Sequence, residues 1–218
     1  PLHNPSKRVI YPERVFRDTE SMDNAILNSI HQFREKGQPI LVGTRSIRVS
    51  ERISEKLEKL GLPHQVLTAK QDSEEEEIVH NSGEVGCVLI ATNMAGRGTH
   101  IGLSDEAKAN GGLHVIQVER NDSKRIDRQL VGRGARQGQP GSAQSFVCAD
   151  DYLLKTYSPE TAERLQKAKA DDYGELSSSQ SALFDQVQDD VEKTKYLGRI
   201  SMAEHDTWLE DTKNSLAK

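Results

Sequence analysis

The sequence predicts an α/β fold, a parallel sheet flanked by helices with an α-helical C-terminal extension, and three observations carry that prediction. Short continuous apolar runs ("PILVGT", "GCVLIAT", "LHVIQV", "AQSFVC") have the pattern of strands buried on both faces. Stretches with helical apolar spacing fall between them, and such alternation gives right-handed βαβ crossovers. After Asp150 the apolar residues thin out, and a serine-rich link, "GELSSSQS", precedes a long helical pattern.

Residues 1 to 20, with Pro1, Pro5 and Pro12, predict an extended lead-in. In "SMDNAILNSIHQFREKG", Met22, Ile26, Leu27, Ile30 and Phe33 recur at helical spacing, with Ser21 as N-cap and Gly37 as stop. A strand follows in "PILVGT", then a helix through "SERISEKLEKLG" to Gly61, a strand in "HQVLT" and a helix around "SEEEEIVHNSG". The acidic run Glu74 to Glu77 suits the positive end of that helix. Next come the strand "GCVLIAT", a glycine-rich loop, the strand "LHVIQV", the helix "DSKRIDRQLVGR" and the strand "AQSFVC". From Ala182 onward, Leu183, Phe184, Val187 and Val191, then Leu197, Ile200, Trp208 and Leu209, predict one long helix or a helical pair outside the sheet. The expected organisation is a lead-in over 1–20, the main domain over 21–155 and a helical extension over 156–218.

A chain of 218 residues, 34% hydrophobic and 29% charged, can bury one main core with an extension. A net charge of −5 argues against a domain whose main task is gripping a nucleic-acid backbone. No apolar run approaches the roughly 18 residues of a membrane span, and the opening has no signal-peptide core, which makes the cytosol the expected compartment. The lack of an initial methionine is expected of a piece of something longer. Cys87 and Cys148 read as buried reduced thiols in strands, and no cysteine or histidine pair has zinc-ligand spacing.

Two loops hold most of the glycine and arginine: "ATNMAGRGTHIG" (91–102) and "QLVGRGARQGQPG" (129–141). Loops at the carboxyl ends of parallel strands are where ligands bind, and the first loop is placed for that role. There Gly96 and Gly98 free the backbone to approach a phosphate, and Arg97 between them reaches outward. In the second loop, Arg133 and Arg136 share a helix face if the helix runs on through them, so both guanidiniums converge on one polyphosphate. Gly132 and Gly134 would each cost roughly 1 kcal/mol in a free helix, which implies close approach to a backbone or a ligand. The chain has no Gly-Lys dipeptide, hence no GxxxxGK[ST] phosphate loop, and no apolar strand ends in an acidic pair for Mg²⁺. Such a chain is not a self-sufficient NTPase. Arginines without a phosphate loop fit the finger role, in which one domain supplies cations to a nucleotide held by another.

"GQPILVGTRSIRVSERISEKLEKLGLPHQVLTAK", "GCVLIATNMAGRGTHIGL", "GGLHVIQVERNDSKRIDRQLVGRGARQGQPGSAQSFV" and "DDYLL" follow in the order and spacing of the second motor domain of the SecA family of preprotein translocase ATPases. The resemblance covers residues 1 to about 155, including the lead-in "VFRDTESMDNAI", and only weakly the last 60 residues, which resemble the start of the family's helical scaffold. It implies a RecA-like fold of the P-loop NTPase superfamily, helicase C-terminal type. It also implies ATP and Mg²⁺ in a cleft shared with a missing N-terminal P-loop motor domain that carries the Mg²⁺ ligands. Arg133 and Arg136 match the sixth helicase motif, whose arginines reach the γ-phosphate, and Gln129 opens it. Gly96, Arg97, Gly98 and Thr99 match the fifth motif, and Gly43 to Ser46 the fourth. The implied partners are a preprotein and a SecYEG-type membrane translocon, with nucleic acid not expected, and the implied location is the cytoplasm, peripherally on the inner membrane. The isolated fragment is expected to be inactive and to bind nucleotide weakly or not at all.

Several positions depart from the family pattern. His100 stands where the family has an aspartate that contacts the nucleotide sugar. Val131 replaces an arginine, Ala135 a glycine, and Arg45 and Arg48 an apolar residue and an acid, as in a divergent SecA-like protein. Two other readings stay open: a superfamily 2 nucleic-acid helicase domain, and a RecA-like interaction module that has lost ATP use.

Overall fold

In a computed structural model, which describes residues 7–67, 75–92 and 100–216, the apolar runs line up as one parallel sheet. Its strands are β1 (Lys7–Ile10), β2 (Arg14–Phe16), β3 (Ile40–Thr44), β4 (Gln65–Leu67), β5 (Val88–Thr92), β6 (Leu113–Val118) and β7 (Pro140–Cys148). They are ordered β1-β7-β6-β3-β5-β4, with β2 also on β7. The helices are α1 (Thr19–Glu35), α2 (Ile47–Lys59), α3 (Glu75–Asn81), α4 (Asp105–Ala109), α5 (Lys124–Val131), α6 (Tyr152–Tyr157), α7 (Pro159–Gln166) and α8 (Ser181–Leu216).

The extended lead-in is part of this sheet. β1 lies beside the first half of β7 and β2 beside its second half, and the register slips by one residue across Tyr11–Glu13. Pro12 sits at the slip; lacking an N–H, it is tolerated only on an edge strand or at a bulge. α1 starts earlier than expected: its N-cap is Asp18, not Ser21, with Asp18 Oδ1 accepting from the Ser21 backbone N–H at 2.8 Å. Apolar spacing could not reveal this first turn, because Thr19, Glu20 and Ser21 are all polar. The helix stops where expected, with Gly37 in the left-handed region (φ 73°) just after the cap.

Successive strand residues face opposite sides, so each central strand feeds two cores. On one face, Met22, Ile26 and Ile30 of α1 and Ile53 and Leu57 of α2 cover Val42, Ile90, Ile116 and Phe146. On the other, Val79, Ile101 and Leu130 cover Leu41, Leu89, Val115 and Ala143. Toward the β1/β2 edge, a third cluster joins Val15 and Val147 to Leu153, Leu154, Leu165, Phe184, Val187 and Val191. The stretch beyond Asp150, set apart by its composition, is thus packed onto the sheet through Val191, because it covers apolar strand residues at that edge. It contains the short helices α6 and α7, too brief for apolar spacing to reveal, and α8, one continuous helix rather than a pair. Beyond that contact Tyr196, Leu197 and Met202 are exposed. α4, capped by Ser104, interrupts what reads as a glycine-rich loop. Both cysteines are free; Cys148 is buried, whereas Cys87 precedes β5 and is only half-buried.

Candidate functional site

α5 leaves the carboxyl end of β6 and is held there from several sides. Asp127 Oδ1 accepts from the Asn121 backbone N–H (3.0 Å) and from the side-chain amides of Asn121 and Gln117 (both 2.7 Å). Gln188 of α8, itself buried, donates to Asp127 Oδ2 (2.6 Å) and to the Asn121 carbonyl (2.7 Å). Glu192 of α8 accepts from the Lys124 backbone N–H at 2.7 Å, satisfying a helix-terminal donor with a carboxylate at the positive end of the dipole.

The helix ends before the arginines. Gly132 is its C-cap, and the chain then takes the left-handed region at Ala135 (φ 55°), Gln137 (φ 54°) and Gly138 (φ 77°) before entering β7. The expected single helix face shared by Arg133 and Arg136 is therefore not formed; they flank a tight turn instead. The close approach implied by the glycines is real at Gly134, which packs against the Val115 side chain and the carbonyls of Leu113 and Ser142. A Cβ on Gly141 would lie 2.6 Å from the Ala135 nitrogen, so the strand entry and the loop approach closely enough that only glycine fits there. The approach at Gly134 is to the chain's own backbone.

This turn also stands at the other end of the sheet from the strand-following loops. α5 carries the chain from the carboxyl end of β6 to the amino ends of β6 and β7, where Leu113 pairs with Gly141. Arg133 and Arg136 are half-buried and Gln129 is exposed. Arg136 Nε donates to the Gly132 carbonyl at 3.4 Å, and Arg8 of β1 donates to the Gly134 carbonyl through Nε (3.1 Å) and Nη2 (2.8 Å). Sequence spacing gave no hint of Arg8, which is 126 positions from its acceptor and arrives by β1–β7 pairing.

Gly96, Arg97, Gly98 and Thr99 lie outside the described residues. The segment resumes at His100, which is exposed, and Ile101, which is buried. Ile101 and Leu103 join Leu130 and Val131 in one apolar cluster, so the chain just beyond the first loop and the last turn of α5 lie on the same face of the sheet. In the fourth motif, Gly43 faces Leu130 with no room for a Cβ, and Ser46 caps α2 by accepting from the Val49 N–H.

Sequence reasoning named Arg45, Ser46 and Arg48 but not the cleft they line with Arg52, Glu119 and Tyr152 at the carboxyl edge. α2 leaves β3 on one face and α5 leaves β6 on the other, so the adjacent β3 and β6 form a switch point, the usual place for a ligand crevice in such sheets. A cleft of about 880 Å³ opens there, lined by Arg45, Ser46, Arg48, Arg52, Glu119 and Tyr152 among others. Arg45 stacks 3.6 Å from the Tyr152 ring centre and pairs with Asp122 at 3.2 Å. Glu119 is buried in the left-handed region (φ 65°), and burial pushes its carboxyl above the usual range against the pull of Arg52 and Arg45. Behind it Asp151 is pushed well above that range by burial and then by Glu119, and Cys148 Sγ donates to its Oδ1 at 3.1 Å. The available signal was "ER" directly after an apolar strand: a charge where the strand reaches its functional edge. Among the described residues, no group of three His, Cys, Asp or Glu side chains could hold a metal ion, and no helix is long and apolar enough to cross a membrane.

The family model described as "SecA P-loop domain" matches residues 5–110 and 103–172. The protein translocase subunit SecA of Fervidobacterium nodosum is 40% identical over 223 aligned residues, 99% of this chain and 25% of the relative. That of Salinibacter ruber is 38% identical over 100% of this chain and 19% of its own length. SecA 3 of Magnetococcus marinus is 49% identical over 72% of this chain and 24% of its own. The chain thus spans about a quarter or less of the curated relatives it matches. Among solved structures, the Escherichia coli DEAD-box protein SrmB bound to RraA superposes with a TM-score of 0.51 at 23% identity, over 71% of this chain and 82% of that one, a likeness of fold.

Proposed function

Because the chain belongs to the SecA family, we propose that it is the second RecA-like motor domain of a protein-translocating ATPase, supplying Arg133 and Arg136 to ATP held by a P-loop domain outside these 218 residues. The observation that carries this reading is the turn at Arg133–Arg136: two half-buried guanidiniums on a backbone fixed by its own packing, in a chain without a phosphate loop. Bound ATP would supply the γ-phosphoryl group to be transferred to water. The two arginines would meet the charge that develops on its oxygens, each with a planar fork that stays protonated at any working pH. Mg²⁺ ligands would come from the P-loop domain. Gln129, on the exposed face of α5, would border the same nucleotide, and Gly96, Arg97, Gly98, Thr99 and His100, which follow the carboxyl end of β5, would reach it where the chain returns to α5, with Ile101 and Leu103 packed on Leu130 and Val131. A histidine in place of the family's aspartate would weaken the hold on the sugar. In the cell, the whole protein would work at the cytoplasmic face of the inner membrane, driving preproteins through a SecYEG-type translocon.

Steady-state ATP turnover of the full-length protein tests this. Arg133→Ala and Arg136→Ala should each lower kcat by a factor of about 10³, the usual worth of an arginine finger. Turnover at the parental rate in both variants would remove the finger assignment.

A further inference from the structure

We propose that Arg8 is a positioning residue for the arginine turn: an edge-strand cation that fixes, through the Gly134 carbonyl, the directions in which Arg133 and Arg136 leave the backbone. The proposal rests on the finger reading of that turn.

The Gly134 carbonyl belongs to the peptide plane between Gly134 and Ala135, so whatever holds its oxygen also holds φ of Ala135. That φ is 55°, in a region L-residues avoid and where the family pattern has glycine. Rotation of the 134–135 plane would return Ala135 to negative φ and change the relative aim of Arg133, before the plane, and Arg136, after it. Two N–H groups of one guanidinium oppose that rotation, at 3.1 and 2.8 Å from the same oxygen. The bond is charge-assisted and partly buried, made to a residue that is itself buried, so loss of the donor leaves the carbonyl poorly compensated. Arg8 is itself anchored. It lies opposite Gly141 in the β1–β7 ladder, and Gly141 packs against Ala135, so strand pairing and turn geometry reinforce one another. A lysine could keep the charge but not the two-pronged donation.

The test is ATP turnover by the full-length protein carrying Arg8→Gln, Arg8→Lys, Arg133→Ala, Arg136→Ala or the Arg8→Gln/Arg133→Ala pair. Arg8→Gln should lower kcat about 10- to 100-fold, as expected for catalytic groups displaced by an ångström or so. The KM for ATP should stay within about twofold, since the lost interaction serves the transition state. Arg8→Lys should retain part of the rate. On the Arg133→Ala background, Arg8→Gln should cost less than it does alone, because the part of its effect that passes through Arg133 is already lost. Parental kcat in Arg8→Gln, or a full multiplicative loss in the pair, overturns the proposal. If Arg8→Gln does not fold, Arg8→Lys decides: a folded variant with parental kcat overturns it. Loss of turnover in Arg133→Ala and Arg136→Ala with none in Arg8→Gln refutes the Arg8 role alone. Parental rates in both arginine variants refute the finger reading, and the Arg8 proposal with it.

Discussion

His114 shows how one residue can set a pH dependence. It is fully buried at the start of β6, stacked on Phe33 with ring centres 3.4 Å apart, and its Nδ1 shares a 2.7 Å hydrogen bond with Ser142 Oγ. Among the described residues its Nε2 has no hydrogen-bond partner. Burial, and then the charge of Lys36, push its pKa from 6.5 down to about 3. The unfolded chain therefore takes up this proton first. The stability tied to neutral His114 is fully present above pH 6.5 and is lost as the pH falls toward about 3, with a slope of up to about 1.4 kcal/mol per pH unit. Denaturant unfolding at neutral and mildly acidic pH should show that slope, and His114→Gln should flatten it; an unchanged slope would mean other groups govern the acid limb. None of this was legible in sequence, where "LHVIQV" reads only as a buried strand. The presence of Arg133 and Arg136 was legible, but their support was not, since Arg8 meets Gly134 only through strand pairing.

At the scale of elements, α5 is the piece that connects the two ends of the sheet, and α8 holds its start. Gln188→Ala would strip a donor from both Asp127 and the Asn121 carbonyl at a buried site, for an expected loss of about 1–3 kcal/mol. Denaturant midpoints should report that loss, with faster amide exchange in α5; a loss below about 0.5 kcal/mol would mean that water replaces the amide without penalty. The sequence predicted α5 and both flanking strands, because a buried strand or an amphipathic helix advertises its period over a few residues. Its end was missed because "RQLVGR" keeps a helical rhythm past Val131, while the termination is imposed from outside: Gly134 is trapped against β6, and the chain must turn to enter β7. The N-terminus of α1 was placed three residues late for a different reason, since its cap precedes the first apolar side chain.

For the whole molecule, the issue is how much a chain that spans about a quarter of its relatives' length can do. By the proposed function the arginine turn is half of a site, so the isolated 218-residue chain should bind ATP no tighter than about millimolar. Titration with a fluorescent ATP analogue should show no saturation in the micromolar range, and a Kd near 10 µM or below would mean that this chain holds the nucleotide itself. What the sequence determined by itself is the alternation of strands and helices, the absence of a phosphate loop, and a family whose motifs are written in contiguous residues. Each of these is a local property, carried by side-chain period or by a short run of residue types. Tertiary structure alone decided that the lead-in joins the sheet edge, that residues 152–191 seal one core, that a charged cleft opens at the carboxyl edge, and that the arginines stand at the amino edge on a turn gripped by Arg8. Those facts depend on which distant segments pack together, and a contact spanning 126 positions leaves no period in the chain from which it could be read.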